Sequence, residues 1–139
     1  EGTRPMLVEI QALVVPSQLA IPRRVGSGVD YNRLQLLVAI LQKRLNVPLG
    51  TFDIFINVSG GIKVGEPSAD LAVAMAILSS FKNKPINSKT AVFGELGLLG
   101  EVRSIGAEDR RIKEAKRLGF TTVISPKTAR NLKQASESY

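Results

Sequence analysis

Residues 53–81 read DIFINVSGGIKVGEPSADLAVAMAILSSF, a stretch in which a β-rich run, a glycine turn and a helical pattern follow one another. The β-branched and aromatic start predicts a strand, and Gly60-Gly61 ends it because glycine leaves the extended region without a Cβ clash. Pro67 suits a first helical turn, where its missing N–H would have no partner anyway. The apolar residues that follow recur at helical spacing, namely Leu71, Ala72, Met75, Ala76 and Leu78. We therefore predict a strand-loop-helix unit that places any chemistry in its loop.

Ser68 lies on the first turn of that predicted helix. A serine beside free helix N-terminal amides has both the position of a nucleophile and an anion-binding environment. The chain has no histidine and no cysteine, which excludes a Ser-His-Asp triad, a thiolate nucleophile and disulfides. Catalysis by Ser68 would therefore need a base of another kind. The alternative interpretation is a small polar residue in a helical turn with no catalytic role.

The length of 139 residues predicts a single domain, residues 1–139, large enough to form its own core. No apolar run approaches the roughly 20 residues that a membrane helix needs, and residues 1–9 do not have the layout of a signal peptide. We therefore expect a soluble, cytoplasmic chain. Because it begins directly before a strand-like segment, we expect a domain from a longer polypeptide.

The chain is basic, with 19 Lys plus Arg against 12 Asp plus Glu and a formal net charge of +7. Positive potential attracts polyanions, so nucleic acid is the expected kind of partner. Between Arg103 and Lys133 we count nine basic residues against three acidic ones, which concentrates the excess there. The candidates for DNA contact are Arg23, Arg24, Arg103, Arg110, Arg111, Lys113, Lys116 and Arg117. The competing interpretation is a solvated surface that keeps the domain soluble.

The remaining segments predict a mixture of strands and helices. Residues 7–15 are typical of a buried strand, and residues 17–30 of a hairpin or an irregular β excursion. Asp30 should cap a helix over residues 31–46, and a basic helix should cover residues 108–118. Between these helices, glycines at 94, 97 and 100 indicate a tight turn between two strands, and neither the P-loop pattern nor the dinucleotide-binding fingerprint is present. This order predicts an α+β domain with an α/β-like mix.

Three segments in this order, GGIKVGEPSADLAVAMAILSS, FGELGLLGEVRSIG and RRIKEAKRLGFTTVISP, resemble the Lon-protease-type domain. Together with EGTRP at the start and DYNR at residues 30–33, they resemble the version at the C-terminus of the RadA (Sms) family of bacterial DNA-repair proteins. The resemblance covers nearly the whole chain. It implies mixed β-sheets with three to four helices, a fold like that of ribosomal protein S5 domain 2.

In active Lon-type domains a serine and a lysine form the catalytic dyad, and the resemblance places Ser68 at the serine position. Aligned without a gap, Ser104-Ile105-Gly106-Ala107 matches the turn that precedes the lysine, which puts Asp109 at the lysine position. Two acidic flanks, Glu66 and Asp70, add negative charge that opposes an alkoxide. The resemblance therefore implies an inactive protease fold with no catalytic residue. Substitute bases would be Lys63 or Lys113, and we expect no metal site, because Glu66 and Asp70 alone would hold a cation weakly.

The resemblance also implies a role in hexamer assembly and sequence-independent DNA binding within a repair and recombination ATPase. It places ATP, Mg and Zn in N-terminal modules, outside this chain, and no cofactor in this domain. Seven aromatic residues, most of them in apolar runs, do not favour recognition of single strands by stacking. Two other functions stay open: a Ser68-dependent peptidase with a non-standard base, and a purely structural ring-forming module.

Overall fold

The computed structural model describes residues 7–60 and 67–139. In chain order the elements are β1 (Glu9–Pro16), β2 (Arg24–Ser27), α1 (Tyr31–Leu45), β3 (Phe52–Ser59), α2 (Asp70–Lys82), β4 (Thr90–Val92), β5 (Glu95–Leu96), β6 (Val102–Arg103), α3 (Glu108–Arg117), β7 (Thr122–Ile124) and α4 (Leu132–Ser136). Short 3-10 turns, Leu49–Thr51 and Pro67–Ala69, precede β3 and α2. The predicted class, an α+β domain of the Lon type with mixed sheets and three to four helices, is confirmed.

The main sheet has the order β1-β3-β2, with β1 antiparallel and β2 parallel to β3. Of the two predictions for residues 17–30, the hairpin is wrong, because β2 pairs with the apolar central strand β3 and not with β1. Opposed residues on neighbouring strands share a face of the sheet. One such row runs from Leu13 through Phe55 to Val25.

The helices α1 and α2 pack on the other face of this sheet and form the core with Val14, Ile54 and Ile56. Asp30 caps α1 as predicted, and its carboxylate accepts a hydrogen bond of 3.0 Å from the Arg33 N–H. The helix α2 is buried on most of its surface, which explains why its apolar residues continue beyond a single stripe: Leu71, Val73, Ala74, Met75, Ile77 and Leu78.

The second half of the chain forms two small two-stranded sheets and the helices α3 and α4. β4 is parallel to β7, and β5 and β6 form the predicted tight hairpin. The helix α3 has nearly the predicted limits. Helical spacing would direct Leu118 inward, but it is 46% exposed, because the helix ends at Arg117. Asn131 caps α4 by accepting from the Gln134 N–H at 2.8 Å.

Helices in the described part of the chain are 5 to 15 residues long. None of them has the length and apolar character required to cross a bilayer.

Candidate functional site

Ser68 lies in the 3-10 turn directly before α2 and is buried, with 7% of its surface exposed. Its carbonyl accepts a 2.9 Å hydrogen bond from the Gly94 N–H, and the Gly94 carbonyl accepts one of 3.0 Å from the Leu71 N–H. Gly94 has a φ of +147°, and a Cβ there would lie 2.9 Å from Cγ1 of Val102. The turn that carries Ser68 is therefore fixed to the link between β4 and β5, at a position that requires glycine.

Asp70, the first residue of α2, is 2% exposed, and its carboxylate accepts three hydrogen bonds. Nε of Arg33 donates to one oxygen at 2.8 Å, while Nη2 of Arg33 and the Leu96 N–H donate to the other. The negative charge expected from Asp70 is therefore paired with the guanidinium of Arg33, and the carboxylate of Glu95 lies 3.7 Å from the same guanidinium. The other predicted acidic flank, Glu66, lies outside the described residues.

Asp109, at the position of the family's lysine, lies in the first turn of α3 with its side chain 89% exposed. Its carboxylate forms an ion pair with Nζ of Lys127 at 2.8 Å, and the hydrogen bond from Lys127 lowers the pKa of Asp109. A solvent-exposed carboxylate with a lowered pKa is a weak proton acceptor. Of the two substitute bases, Lys63 lies outside the described residues and Lys113 is exposed on α3.

The described residues around Ser68 and Asp70 do not form a cluster of metal ligands. Within residues 7–60 and 67–139, no group of three or more acidic side chains is close enough to hold an ion. The carboxylate of Asp70 is already bonded to Arg33 and Leu96.

The two N-terminal candidates for DNA contact are engaged within the fold. The guanidinium of Arg23 bonds the carboxylate of the buried Asp53 at 2.8 Å, and this side-chain hydrogen bond is the main reason that the pKa of Asp53 falls to about 2. The guanidinium of Arg24 donates to the carbonyls of Phe52 and Leu49, and burial lowers its pKa. Arg24 therefore stabilises the start of β3, and its donors are directed at carbonyls of this chain and not at a phosphate.

The other six candidates lie on β6 and α3. Arg103 pairs with Glu101 at 2.8 Å, and Arg117 pairs with Glu114 at 2.7 Å. The Arg111 guanidinium lies 5.8 Å from the centre of the Phe93 ring. The remaining three candidates, Arg110, Lys113 and Lys116, are exposed. We call the exposed basic residues of α3 the basic helix face: Arg110, Lys113, Lys116 and Arg117.

Lys113 and Lys116 carry the least compensated charge on the basic helix face. Neither lysine has an ion-pair partner in the part of the chain that the structure describes. Of the eight predicted residues, these two are the clearest candidates for phosphate contact.

Sequence reasoning missed two charged pairs at this site. Arg33 lies off the apolar spacing of α1, and its partner Asp70 lies 37 residues further along the chain. A signal did exist, because Asp70 is the single acidic residue among the apolar residues of α2. Lys127 follows β7, and nothing in the sequence indicated that it pairs with Asp109.

Comparison with known proteins gives two kinds of match. A family model described as subunit ChlI of Mg-chelatase matches residues 27–129. Proteins named DNA repair protein RadA are similar over most of the chain: 49% identity over 91% of it in Halalkalibacterium halodurans, 46% over 97% in Synechocystis and 51% over 91% in Haemophilus influenzae. The chain spans 27–28% of the length of these relatives.

The pair between Arg33 and Asp70 leads to a stability prediction. The substitution Arg33→Met should lower the free energy of unfolding by about 3 kcal/mol, because it leaves a buried carboxylate without its cation. Urea unfolding followed by circular dichroism measures this loss. Adding Asp70→Asn should recover part of it, since a neutral amide oxygen can still accept from the Leu96 N–H.

Arg117→Met is the matched control, since its pair with Glu114 is more exposed than the buried pair (57% and 15% of the two side chains against 27% and 2%) and breaking it should cost less. An Arg33→Met variant as stable as Arg117→Met would show that the buried pair does not hold the helices together.

Proposed function

The chain belongs to the family described as subunit ChlI of Mg-chelatase, and from this premise we propose that it is the Lon-protease-like domain of a RadA-type DNA-repair protein. The proposal is based on the relatives named DNA repair protein RadA, which match 91–97% of the chain, and not on the chelatase named in the description of the family model. In this role the domain binds DNA of any sequence, takes part in hexamer assembly and has no peptidase activity. An ATP-dependent motor, with ATP, Mg and Zn, is assigned to sequence outside this chain.

The observation that carries the DNA-binding proposal is the basic helix face. Lys113 and Lys116 are exposed on the same helix, and the described residues offer neither of them a carboxylate. A flexible ammonium group in solvent can move onto a phosphate without breaking an internal contact. Such contacts do not depend on base sequence, and they weaken with salt because binding releases counterions.

Support for assembly comes from the uncovered face of the main sheet. Leu13 and Val25, which flank Phe55 in one row, are 54% and 49% exposed. Leu19 and Ile21, in the segment that leads to β2, add side chains that are 50% and 83% exposed. Exposed apolar side chains in one row of a sheet are typical of subunit contacts. We assign this face, which we call the outer sheet face, to contacts between copies of the chain.

Support for an inactive protease fold comes from Asp109. In a Ser-Lys dyad, desolvation keeps the lysine neutral so that it can take the serine proton. Here the corresponding side chain is a carboxylate that is 89% exposed and already paired with Lys127. The Ser68 turn keeps its position through backbone bonds to Gly94, which is a structural role.

Neutralising the basic helix face should weaken DNA binding. We expect Lys113→Gln with Lys116→Gln to reduce the affinity for duplexes of unrelated sequence by similar factors. If each lysine contacts one phosphate, the slope of log affinity against log salt should become shallower by roughly 2. Fluorescence anisotropy over a salt series measures both quantities.

The double variant Lys82→Gln with Lys89→Gln is the matched control, because it removes the same charge from exposed positions on other elements. Equal losses in the two double variants would mean that net charge, and not the basic helix face, sets the affinity.

Polar substitutions on the outer sheet face should reduce assembly. We expect Leu13→Ser with Val25→Ser to shift the chain from hexamers to smaller species in mass photometry, because the apolar area available to a neighbouring copy falls. Leu118→Ser, at a residue of comparable exposure beyond α3, should leave the assembly unchanged. An unaltered mass distribution in the double variant would contradict the assignment. Hexamers that show no salt-dependent DNA binding would instead favour a purely structural ring module.

The absence of peptidase activity can be tested at Ser68. We expect a fluorophosphonate probe to label the chain no more than it labels Ser68→Ala, because the side chain at the position of the family's lysine, Asp109, is an exposed carboxylate and not a desolvated amine. A known serine hydrolase serves as the positive control. Labelling or peptide cleavage that disappears in Ser68→Ala would support the alternative of a peptidase with a non-standard base.

A further inference from the structure

The hairpin of β5 and β6 carries two exposed leucines at its turn. Leu98 and Leu99 are 64% and 72% exposed, although the strand residue Leu96 just before them is buried at 3%. We call Leu98 and Leu99 the leucine tip. Exposing large apolar side chains to water is unfavourable. Neither Leu98 nor Leu99 packs into the core of the described structure. Their exposure is therefore consistent with a binding partner outside the domain.

Hydrogen bonds hold the leucine tip in place. The Gly97 N–H donates to the Glu101 carbonyl, the Gly100 N–H to the Gly97 carbonyl, and the Leu99 N–H to the Glu101 carboxylate, with distances of 2.9–3.1 Å. Nε of Arg44, on α1, donates to the Leu98 carbonyl at 3.2 Å. Because the backbone of the turn is bonded on two sides, the two side chains are presented at a fixed position.

Basic residues surround the base of the hairpin. Val102 donates to the Arg130 carbonyl at 2.8 Å, and Leu132 donates to the Gly100 carbonyl at 2.7 Å, so the segment that carries Arg130 and Lys133 lies along the hairpin. The side chain of Arg44 packs on Gly100, where an added Cβ would lie 3.2 Å from its Cγ. We call the positive residues around the leucine tip the basic collar: Arg44, Arg103, Arg130 and Lys133.

The one carboxylate in the turn, that of Glu101, compensates one member of the basic collar, Arg103, and leaves the other three without an ion pair among the described residues. The carboxylate of Glu101 accepts from the Leu99 N–H and from the guanidinium of Arg103. Arg130 and Lys133 are exposed and have no ion pair within the described ranges. An apolar turn with positively charged residues next to it is complementary to a ligand that has an apolar interior and an anionic edge.

We propose that the leucine tip is a DNA wedge that inserts between bases at a distorted or mispaired step while the basic collar contacts the flanking phosphates. The proposal rests on the DNA binding proposed above. DNA-bending proteins use apolar side chains in this way, separating stacked bases while positive residues hold the backbone. Entry is easiest where a mismatch has already weakened the stack.

A protein partner fits the leucine tip less well. Two side chains supply far less than the roughly 800 Å² per partner of a standard protein interface. A second copy of the chain would also need an apolar cleft with acidic edges. The cleft beside β1 and the end of α2, of about 490 Å³, is lined by Lys84, by uncharged residues and by no carboxylate. The leucine tip therefore has no complementary cleft there.

The experiment compares a fully paired duplex with one that has a central mismatch beside 2-aminopurine, a base whose fluorescence rises when it unstacks. We expect the unsubstituted chain to bind the mismatched duplex about fivefold more tightly and to increase the fluorescence. In the double variant Leu98→Ser with Leu99→Ser, the preference for the mismatched duplex and the fluorescence increase should both disappear. The salt dependence of binding should stay unchanged, because the basic collar remains.

Two further variants separate the wedge from other effects. Leu118→Ser removes a 46% exposed apolar residue elsewhere and should keep both the preference and the fluorescence increase. Arg130→Gln with Lys133→Gln should weaken binding to both duplexes by a similar factor and make the salt slope shallower, with the preference retained.

The wedge is overturned if the leucine double variant keeps the mismatch preference and the fluorescence increase. It is also overturned if that variant binds both duplexes normally but loses self-association, since the tip would then contact protein. A chain that binds no DNA at low salt would overturn the proposed DNA binding itself, so failure of the wedge alone and failure of the underlying function give different results.

Discussion

The ion pair of Arg33 and Asp70 is the interaction on which the arrangement of this domain depends. A carboxylate that is 2% exposed is tolerated only when its charge is balanced and its oxygens are hydrogen-bonded. Arg33, on α1, supplies the positive charge, and the Leu96 N–H, on β5, donates a further hydrogen bond. Asp70 also lies at the start of α2, where its negative charge meets the positive end of the helix dipole. Two helices and the hairpin are thus fixed relative to one another around one side chain.

The same constraint gives Ser68 a structural explanation. Ser68 lies two residues before Asp70, and its carbonyl is bonded to Gly94, which directly precedes β5. The chain around the serine is therefore held on one side by α2 and on the other by the hairpin that Asp70 also contacts. A small residue at position 68 suits this crowded junction, where 7% of its surface is exposed, without reference to a nucleophile.

The sequence predicted those parts of the fold that depend on local patterns. The helix after Asp30, the helix α3 and the tight hairpin were predicted because caps, apolar spacing and turn glycines act over a few residues. The parallel pairing of β2 with β3 was not predicted, because it joins segments about 30 residues apart and depends on which edge of β3 is free. Arg33 with Asp70, and Asp109 with Lys127, were missed for the same reason.

A count of basic residues overestimates the positive charge that is available to DNA. In the first half of the chain, Arg23, Arg24 and Arg33 bond carboxylates or carbonyls of this same chain, a use that suits the planar, multiply donating guanidinium. Their charge is included in the formal net charge of +7, but much of it acts inside the fold. Lysines such as Lys113 and Lys116, on an exposed helix, keep their charge available. The salt dependence of DNA binding should therefore reflect the cations without an internal partner, a smaller number than the eight candidates that the sequence offered.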